Sequence, residues 1–341
     1  MKAAVYYSSQ DIRIQEIPIP EISKDEALVE MKACGICGSD LMQWYLKNRA
    51  PLVLGHEPAG IIIQKGEKVK KFEIGDKVFV HHHVACLTCY YCLHGDYTLC
   101  EQFHATNILP GGFAEYFKVP APNLQIDTLK IPNEISFEEA TFIEPVACCL
   151  RALERCQIKT GDSVAIIGAG VTGILHAALS KILGASQVFI SDLINYRLKV
   201  AKKFGADLIV NAKKEDFPTV VKAETEGRGA DLTIVTAPDL EAYKTSLKVC
   251  RKGGKLCVFA PINPGKYLQI NPKELFFSEI KVIPSYSTSH IETRKALQVL
   301  KNKKIKVNEL ITHRFKLEET AKAFKTALKN KECLKVMILN R

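Results

Sequence analysis

Two short stretches gather side chains able to bind a metal. Residues 35–40 read Gly-Ile-Cys-Gly-Ser-Asp and residues 55–57 read Gly-His-Glu, which puts Cys37, His56 and Glu57 on glycine-rich turns. A thiolate, an imidazole and a carboxylate are three ligand types that a borderline-soft ion such as Zn²⁺ accepts. Isolated cysteines and histidines are more often core or surface residues, so this stretch needs support from elsewhere in the chain. Cys86, Cys89 and Cys92 are separated by two-residue gaps, and Cys100 follows after seven more residues. Such gaps let successive thiolates point at one centre from a tight loop. Four thiolates close a tetrahedral shell and leave no position for substrate, so this site is expected to be structural.

A third chemical signal lies in the middle of the chain. The apolar run Ser163–Ile167 suits a buried parallel strand and leads directly into Gly168-Ala169-Gly170-Val171-Thr172-Gly173. A helical pattern follows through Ala185. With a strand before it and a helix after it, GxGxxG reads as a dinucleotide turn. Gly168 permits the tight turn, Gly170 lets the backbone approach a pyrophosphate, and Gly173 allows close helix–sheet packing. The next strand, Gln187–Asp192, ends in a carboxylate about 20 residues beyond the glycines. Asp192 there would bind the ribose hydroxyls of NAD and repel the 2′-phosphate of NADP, with Arg197 lying over the adenine.

The elements that must position these groups fall into three stretches. Residues 1–145 hold short strand-like runs at 12–16, 27–33, 60–64, 77–80 and 115–119, punctuated by Pro18, Pro20, Gly75 and Gly111-Gly112. This is a small, loop-rich β domain. Residues 146–290 carry further strands at 207–210, 231–236, 255–260 and 280–284, separated mostly by helical stretches. Six strands with crossover helices imply a doubly wound parallel sheet of α/β class. Its ligand crevice lies at the strands' carboxyl ends, so Val235-Thr236, Phe259-Ala260-Pro261 and Ser285-Tyr286-Ser287 are expected to line a coenzyme site. Residues 291–341 hold helices at 291–301 and 318–331 and a last strand at 334–339. They are expected to return to the first domain, making the coenzyme domain an insertion in a split one.

Composition excludes several classes. The chain has 341 residues, 47% hydrophobic and 25% charged, as in ordinary globular proteins. No apolar run reaches the roughly 18–20 residues of a membrane helix. Residues 1–7 read as an opening strand rather than a secretory leader, so the expected compartment is the cytoplasm. With 47 basic and 37 acidic residues the formal charge is +10. The lysines are spread out, densest at Lys301, Lys303, Lys304 and Lys306, which suits a solvated surface and not a nucleic-acid site. Twelve cysteines without an export signal favour metal over disulfides. One imidazole of His81-His82-His83 is expected to face the catalytic cleft and another to bond within the fold.

Taken together, GICGSD, GHE, the four-cysteine lobe, Ile143-Glu144-Pro145, GAGVTG, Asp192 and ITHRFKLEE at 311–319 make the chain resemble the zinc-containing medium-chain alcohol dehydrogenases. The resemblance is to their polyol (sorbitol) and threonine dehydrogenase branch and covers essentially the whole length. It implies a GroES-like β-rich catalytic domain, split in sequence, and a Rossmann coenzyme domain. It further implies a zinc ion in each of two sites, NAD as coenzyme, and a homo-oligomer, dimer or tetramer. Cys37 and His56 become catalytic zinc ligands, Glu57 and Glu144 occupy ligating or near-ligating positions, and Asp40 orients His56. Cys148 or Cys149 remains an alternative source of a second thiolate. Ser39 corresponds to the hydroxyl that carries the alcohol proton toward the coenzyme ribose.

The implied reaction is reversible oxidation of a polyol or related secondary alcohol. Threonine 3-dehydrogenase and simple secondary-alcohol chemistry are alternatives. A zinc-free quinone reductase or a non-enzymatic use of the fold is more remote. The chain departs from many relatives in having Met42 where a proton-relaying histidine stands, and the segment between Cys37 and His56 is short. Trp44 and Tyr45 in that segment are expected pocket residues.

Overall fold

The computed structural model describes residues 1–340. The chain divides into two compact units, Met1–Ala147 with the stretch from Thr288 onward, and Cys148–Ser287. The first break falls inside the helix Ile143–Arg155, two residues beyond the boundary expected from sequence.

In chain order the first unit begins with β1 (Lys2–Ser8), β2 (Asp11–Glu16), β3 (Ala27–Gly35), β4 (Leu52–Val53), β5 (Pro58–Lys65), β6 (Lys77–Val80), β7 (Tyr116–Val119) and β8 (Thr128–Lys130). The second unit holds β9 (Ser163–Ile167), β10 (Gln187–Asp192), β11 (Leu208–Asn211), β12 (Ala230–Val235), β13 (Cys250–Val258) and β14 (Lys281–Pro284). Two last strands, β15 (Ile311–Lys316) and β16 (Lys335–Leu339), belong to the first unit again.

The larger sheet of the first unit runs β15-β16-β3-β5-β6-β8, with β7 also pairing β3. β3 is its hinge: seven of its nine residues are buried, and only Glu30 and Lys32 reach solvent, pairing with each other at 2.5 Å. β16 lies antiparallel to the far end of β3, with Met337 opposite Gly35 and Ile338 opposite Cys34. The turn after β3 starts from that register, and Ile36 N–H donates to Val336 O at 3.0 Å. Tyr6, Met31, Ile62, Phe72, Phe113, Phe117 and Phe324 fill the core beneath.

The second unit is a six-stranded, wholly parallel sheet in the order β11-β10-β9-β12-β13-β14. All five residues of β9 are buried, as a central parallel strand requires. The order reverses at β9, so the crevice at the switch point opens beside the glycine turn. The following helix, Val171–Ile182, stops short of the expected Ala185 because Gly184 adopts φ +93°, a left-handed helix terminator. β13 begins at Cys250 rather than at residue 255, and the last helix starts at Thr320, after a single turn at Leu317–Glu319.

Candidate metal centres and coenzyme turn

Cys37 closes β3's turn and His56-Glu57 precede β5, so the antiparallel β3–β5 pair brings both stretches to one sheet end. The Cys37 sulfur, a His56 ring nitrogen and a Glu57 oxygen all lie within 4.8 Å of one another. Asp40 clamps the group. One of its oxygens accepts from the Cys37 N–H at 2.9 Å and the other faces His56 Nδ1 at 3.3 Å. Burial disfavours the imidazolium of His56, but Asp40 and Cys37 outweigh it and raise its pKa well above the usual value. That anionic surrounding favours any cation held against the ring.

Glu57 is wholly buried, and its Oε2 accepts from the Nζ of Lys335, a residue of β16 that is itself 3% exposed. Lys335 also donates to Ile36 O at 3.2 Å and lies 5.7 Å from the Phe142 ring centre. Burial raises the Glu57 pKa, Lys335 pulls it down, and the nearby Glu144 adds to the upward push. Lys335 stays charged, because Glu57, Cys37 and Glu144 together overcome its burial. Gly35 leaves room for this pair: a Cβ there would collide with the Glu57 carboxylate and the Lys335 chain. Oε1 of Glu57 has no hydrogen-bond partner. Glu144 is buried at the start of the helix Ile143–Arg155 and is not in the tight three-residue group. Cys149, in the second unit, donates instead to Thr172 O at 3.6 Å.

The histidine run divides its work. His81 Nδ1 bonds Asp127 Oδ2 at 2.9 Å, and His83 Nδ1 bonds Thr106 O at 2.7 Å. His82 packs its ring 5.0 Å from His56 and 4.0 Å from His83. Asn123 holds the backbone beneath by donating to the carbonyls of His81 and His82 at 2.9 and 2.8 Å. Burial keeps His82 neutral and takes the His83 pKa down to about 3.

The four cysteines of the lobe also converge within 4.8 Å, and all twelve cysteines of the chain are free thiols. Cys89 and Cys92 sulfurs are 3.5 Å apart and Cys86 and Cys92 sulfurs 3.9 Å. The Thr88 N–H and hydroxyl and the Cys89 N–H bring the Cys86 pKa down to about 6. Burial and the neighbouring thiols push Cys92 up to about 12.

In the second unit Gly168 takes φ +106°, and its carbonyl accepts the Thr236 hydroxyl at 2.8 Å. A Cβ on Gly173 would strike that same carbonyl, whereas one on Gly170 would meet no protein atom within 4 Å. Thr172 lies in the first turn of the helix Val171–Ile182. Asp192 ends β10, and its two oxygens accept the N–H groups of Ala169 and Ile194 at 2.7 and 2.9 Å. Arg197 follows on the helix Asn195–Lys203. Phe259-Ala260-Pro261 follow β13 and Ser285-Tyr286-Ser287 follow β14, at the carboxyl ends of their strands.

Residues 23–132 match the alcohol dehydrogenase GroES-like domain, and residues 171–302 match the zinc-binding dehydrogenase domain. The chain is 35% identical to sorbitol dehydrogenase of Bacillus subtilis, over 99% of this chain and 97% of that one. It is 32% identical to L-threonine 3-dehydrogenase of the same organism, over 96% and 94%. The chain belongs to the zinc-containing medium-chain alcohol dehydrogenases. Among solved structures, alcohol dehydrogenase TADH from Thermus sp. ATN1 superimposes with a TM-score of 0.89 at 29% identity, covering 100% of both chains.

The residues of this zinc dehydrogenase fit the metal. Sulfurs about 2.3 Å from a common zinc stand roughly 3.8 Å apart, close to the lobe's spacings. At the other cluster, the orphaned Glu57 Oε1 is an acceptor lacking a donor, which a cation supplies. The dinucleotide fits as well, since the open space over Gly170 leaves room for a ligand to approach the backbone. Lys335 is the residue that sequence reasoning missed. Its signal was a lone lysine in the apolar run Leu334–Leu339, every strand residue of which is buried.

Proposed function

We propose that this medium-chain dehydrogenase oxidises a secondary alcohol of the polyol type, sorbitol- or iditol-like, with NAD as hydride acceptor. The observation that carries the reading is the tight grouping of Cys37, His56 and Glu57, anchored by Asp40. The overall likeness to sorbitol dehydrogenase supports the polyol class. The likeness to L-threonine 3-dehydrogenase supports that substrate as the second reading.

Cys37, His56 and Glu57 would hold one zinc ion, with Glu144 in reserve, and Cys86, Cys89, Cys92 and Cys100 another. A zinc ion at the first site supplies Lewis acidity to a substrate oxygen. The chain's own groups do the rest. Asp40 fixes the His56 tautomer, so that Nε2 is the nitrogen left to bind. Ser39, half-buried on the same turn, would accept the alcohol proton while passing its own hydroxyl proton on toward the coenzyme ribose. Asp192 would receive the ribose hydroxyls of a bound NAD, and the amides at the start of the helix Val171–Ile182 would receive its pyrophosphate. A nicotinamide held there would supply the hydride acceptor, so that oxidation of the alcohol would yield a ketone, NADH and one proton.

A screen of polyols, short secondary alcohols and threonine, read by NADH absorbance, tests the reading. Polyols should give the highest kcat/KM. Threonine ahead of every polyol moves the enzyme to the second reading, and a preference for NADP overturns the role of Asp192. Metal analysis should find zinc at both sites, and Cys37→Ser should remove one ion together with turnover while leaving the fold intact.

A further inference from the structure

Lys335 presents an arrangement that ordinary outer-sphere support of a metal ligand does not explain. It is a buried cation placed against a ligand candidate, not a hydrogen-bond acceptor or a neutral donor. Its Nζ takes one oxygen of Glu57 and the carbonyl of Ile36, next to Cys37, and leaves the second Glu57 oxygen without a partner. Gly35 keeps the space that the pair occupies. β16 pairs Lys335 with Ile311 of β15 and Met337–Leu339 with β3, which fixes the backbone position from which the side chain reaches Glu57. The lysine paired with Glu57 therefore arrives from 278 residues further along the chain.

Resting on the open-site reading above, we propose that Lys335 is a positioning residue that competes with the metal for Glu57. It holds Oε2 as an ion pair and so restricts the carboxylate to binding through Oε1, with part of its charge already neutralised. Two consequences follow from electrostatics alone. The carboxylate is compensated when no metal is present, so the apoprotein does not carry a lone buried anion. A metal held there would be repelled by the nearby cation and would meet a weakened carboxylate, so the ammonium should lower the site's affinity for it.

Most outer-sphere partners behave in the opposite way, since deleting them weakens metal binding by about 10–100-fold. The sign of the effect therefore decides the matter. Zinc affinity of the full chain is measured in chelator-buffered solutions, with Cys37→Ser assigning the open-site step and the four-cysteine site as internal reference. Lys335→Met and Lys335→Gln should tighten the open site on the order of tenfold, and zinc should raise the unfolding temperature more than in the wild type. Lys335→Arg, which keeps the charge, should leave the affinity near wild type. The glutamine variant retains a polar donor, so it separates loss of charge from loss of folding if the methionine variant is unstable. Unchanged or weakened zinc affinity in Lys335→Gln overturns the proposal. A wild type that binds zinc only at the four-cysteine site instead overturns the open-site reading on which the proposal rests.

Discussion

Asp40 shows how much one carboxylate contributes to the reactive group. It spends one oxygen on the Cys37 amide and turns the other to His56, so the two ligand-bearing turns share a single anchor. Asp40→Ala should therefore misplace both at once and lower zinc affinity at the open site by roughly 10–100-fold. Metal titration with the four-cysteine site as control measures this, and an unchanged affinity would show that the turns hold their shape without it. Asp192 makes a comparable argument for the coenzyme. Its oxygens already accept the Ala169 and Ile194 amides, which orients the carboxylate before any ribose arrives. Asp192→Ala should cost NAD binding about 1.5–3 kcal/mol, the value of hydrogen bonds to a charged group. NADP binding should change less, because the repelled 2′-phosphate gains what the ribose loses. Coenzyme titration followed by fluorescence distinguishes the two.

At the scale of elements, the helix Val171–Ile182 joins the glycine turn to the sheet and carries a buried histidine. His176 donates its Nδ1–H to Thr172 O, 2.8 Å away, and sets its ring edge-on to Phe259 at 4.6 Å. Burial brings its pKa down to about 4, against the smaller upward effect of the Thr172 carbonyl. The folded chain thus keeps His176 neutral where the unfolded chain, near its ordinary 6.5, takes up a proton. The stabilisation is complete above pH 6.5 and is lost as pH falls from there to about 4, amounting to on the order of 3 kcal/mol. His176→Met should flatten the acid limb of a stability–pH curve in that window, measured by denaturant melts beside the wild type. Equal slopes for the two proteins would contradict it.

The same scale shows why parts of the chain were legible in the sequence. β9, β10 and the glycine turn are local: an apolar run, three glycines and an acid at fixed offsets define them without knowledge of the rest. The four-cysteine lobe is local too, since all four thiols fall within fifteen residues of chain. Cys37, His56 and Glu57 could be suspected from motifs, but their meeting depends on β3–β5 register. Lys335 stood out only as a lysine in an apolar run, and its partner could not be read there for a physical reason. Its contact with Glu57 is created by sheet pairing between the chain's two ends, and no spacing within β16 encodes it. The roles of the three histidines were half legible: a bonded His81 and a His82 turned toward His56 follow the expectation, but Asn123 and Thr106 as their holders come from the fold.

For the molecule as a whole, the last exposed edge of the parallel sheet is the feature with a consequence. Among the described residues β14 pairs with β13 alone; the Pro284 carbonyl accepts from Arg155 Nε at 3.0 Å, and no strand covers the rest of its other edge. The helix Pro272–Ser278 before it buries none of its residues, and Phe276 and Phe277 are 76% and 69% exposed. Val282 on the strand and Tyr286 just past it are exposed as well. An open edge bordered by uncovered aromatics is unstable against association unless something covers it. A second copy is the simplest cover, because a two-fold axis across β14 would pair the two edges antiparallel and bring both aromatic helices together. Wild-type protein is accordingly expected to sediment as a dimer or a multiple of one. Phe276→Asp with Phe277→Asp places two charges in the covered face and should shift it toward the monomer. The far-ultraviolet spectrum and the zinc content should stay unchanged, since neither residue is in a core or near a metal ligand. Monomeric wild type at micromolar concentration, or a double variant of undiminished mass, would leave this edge without the role assigned to it.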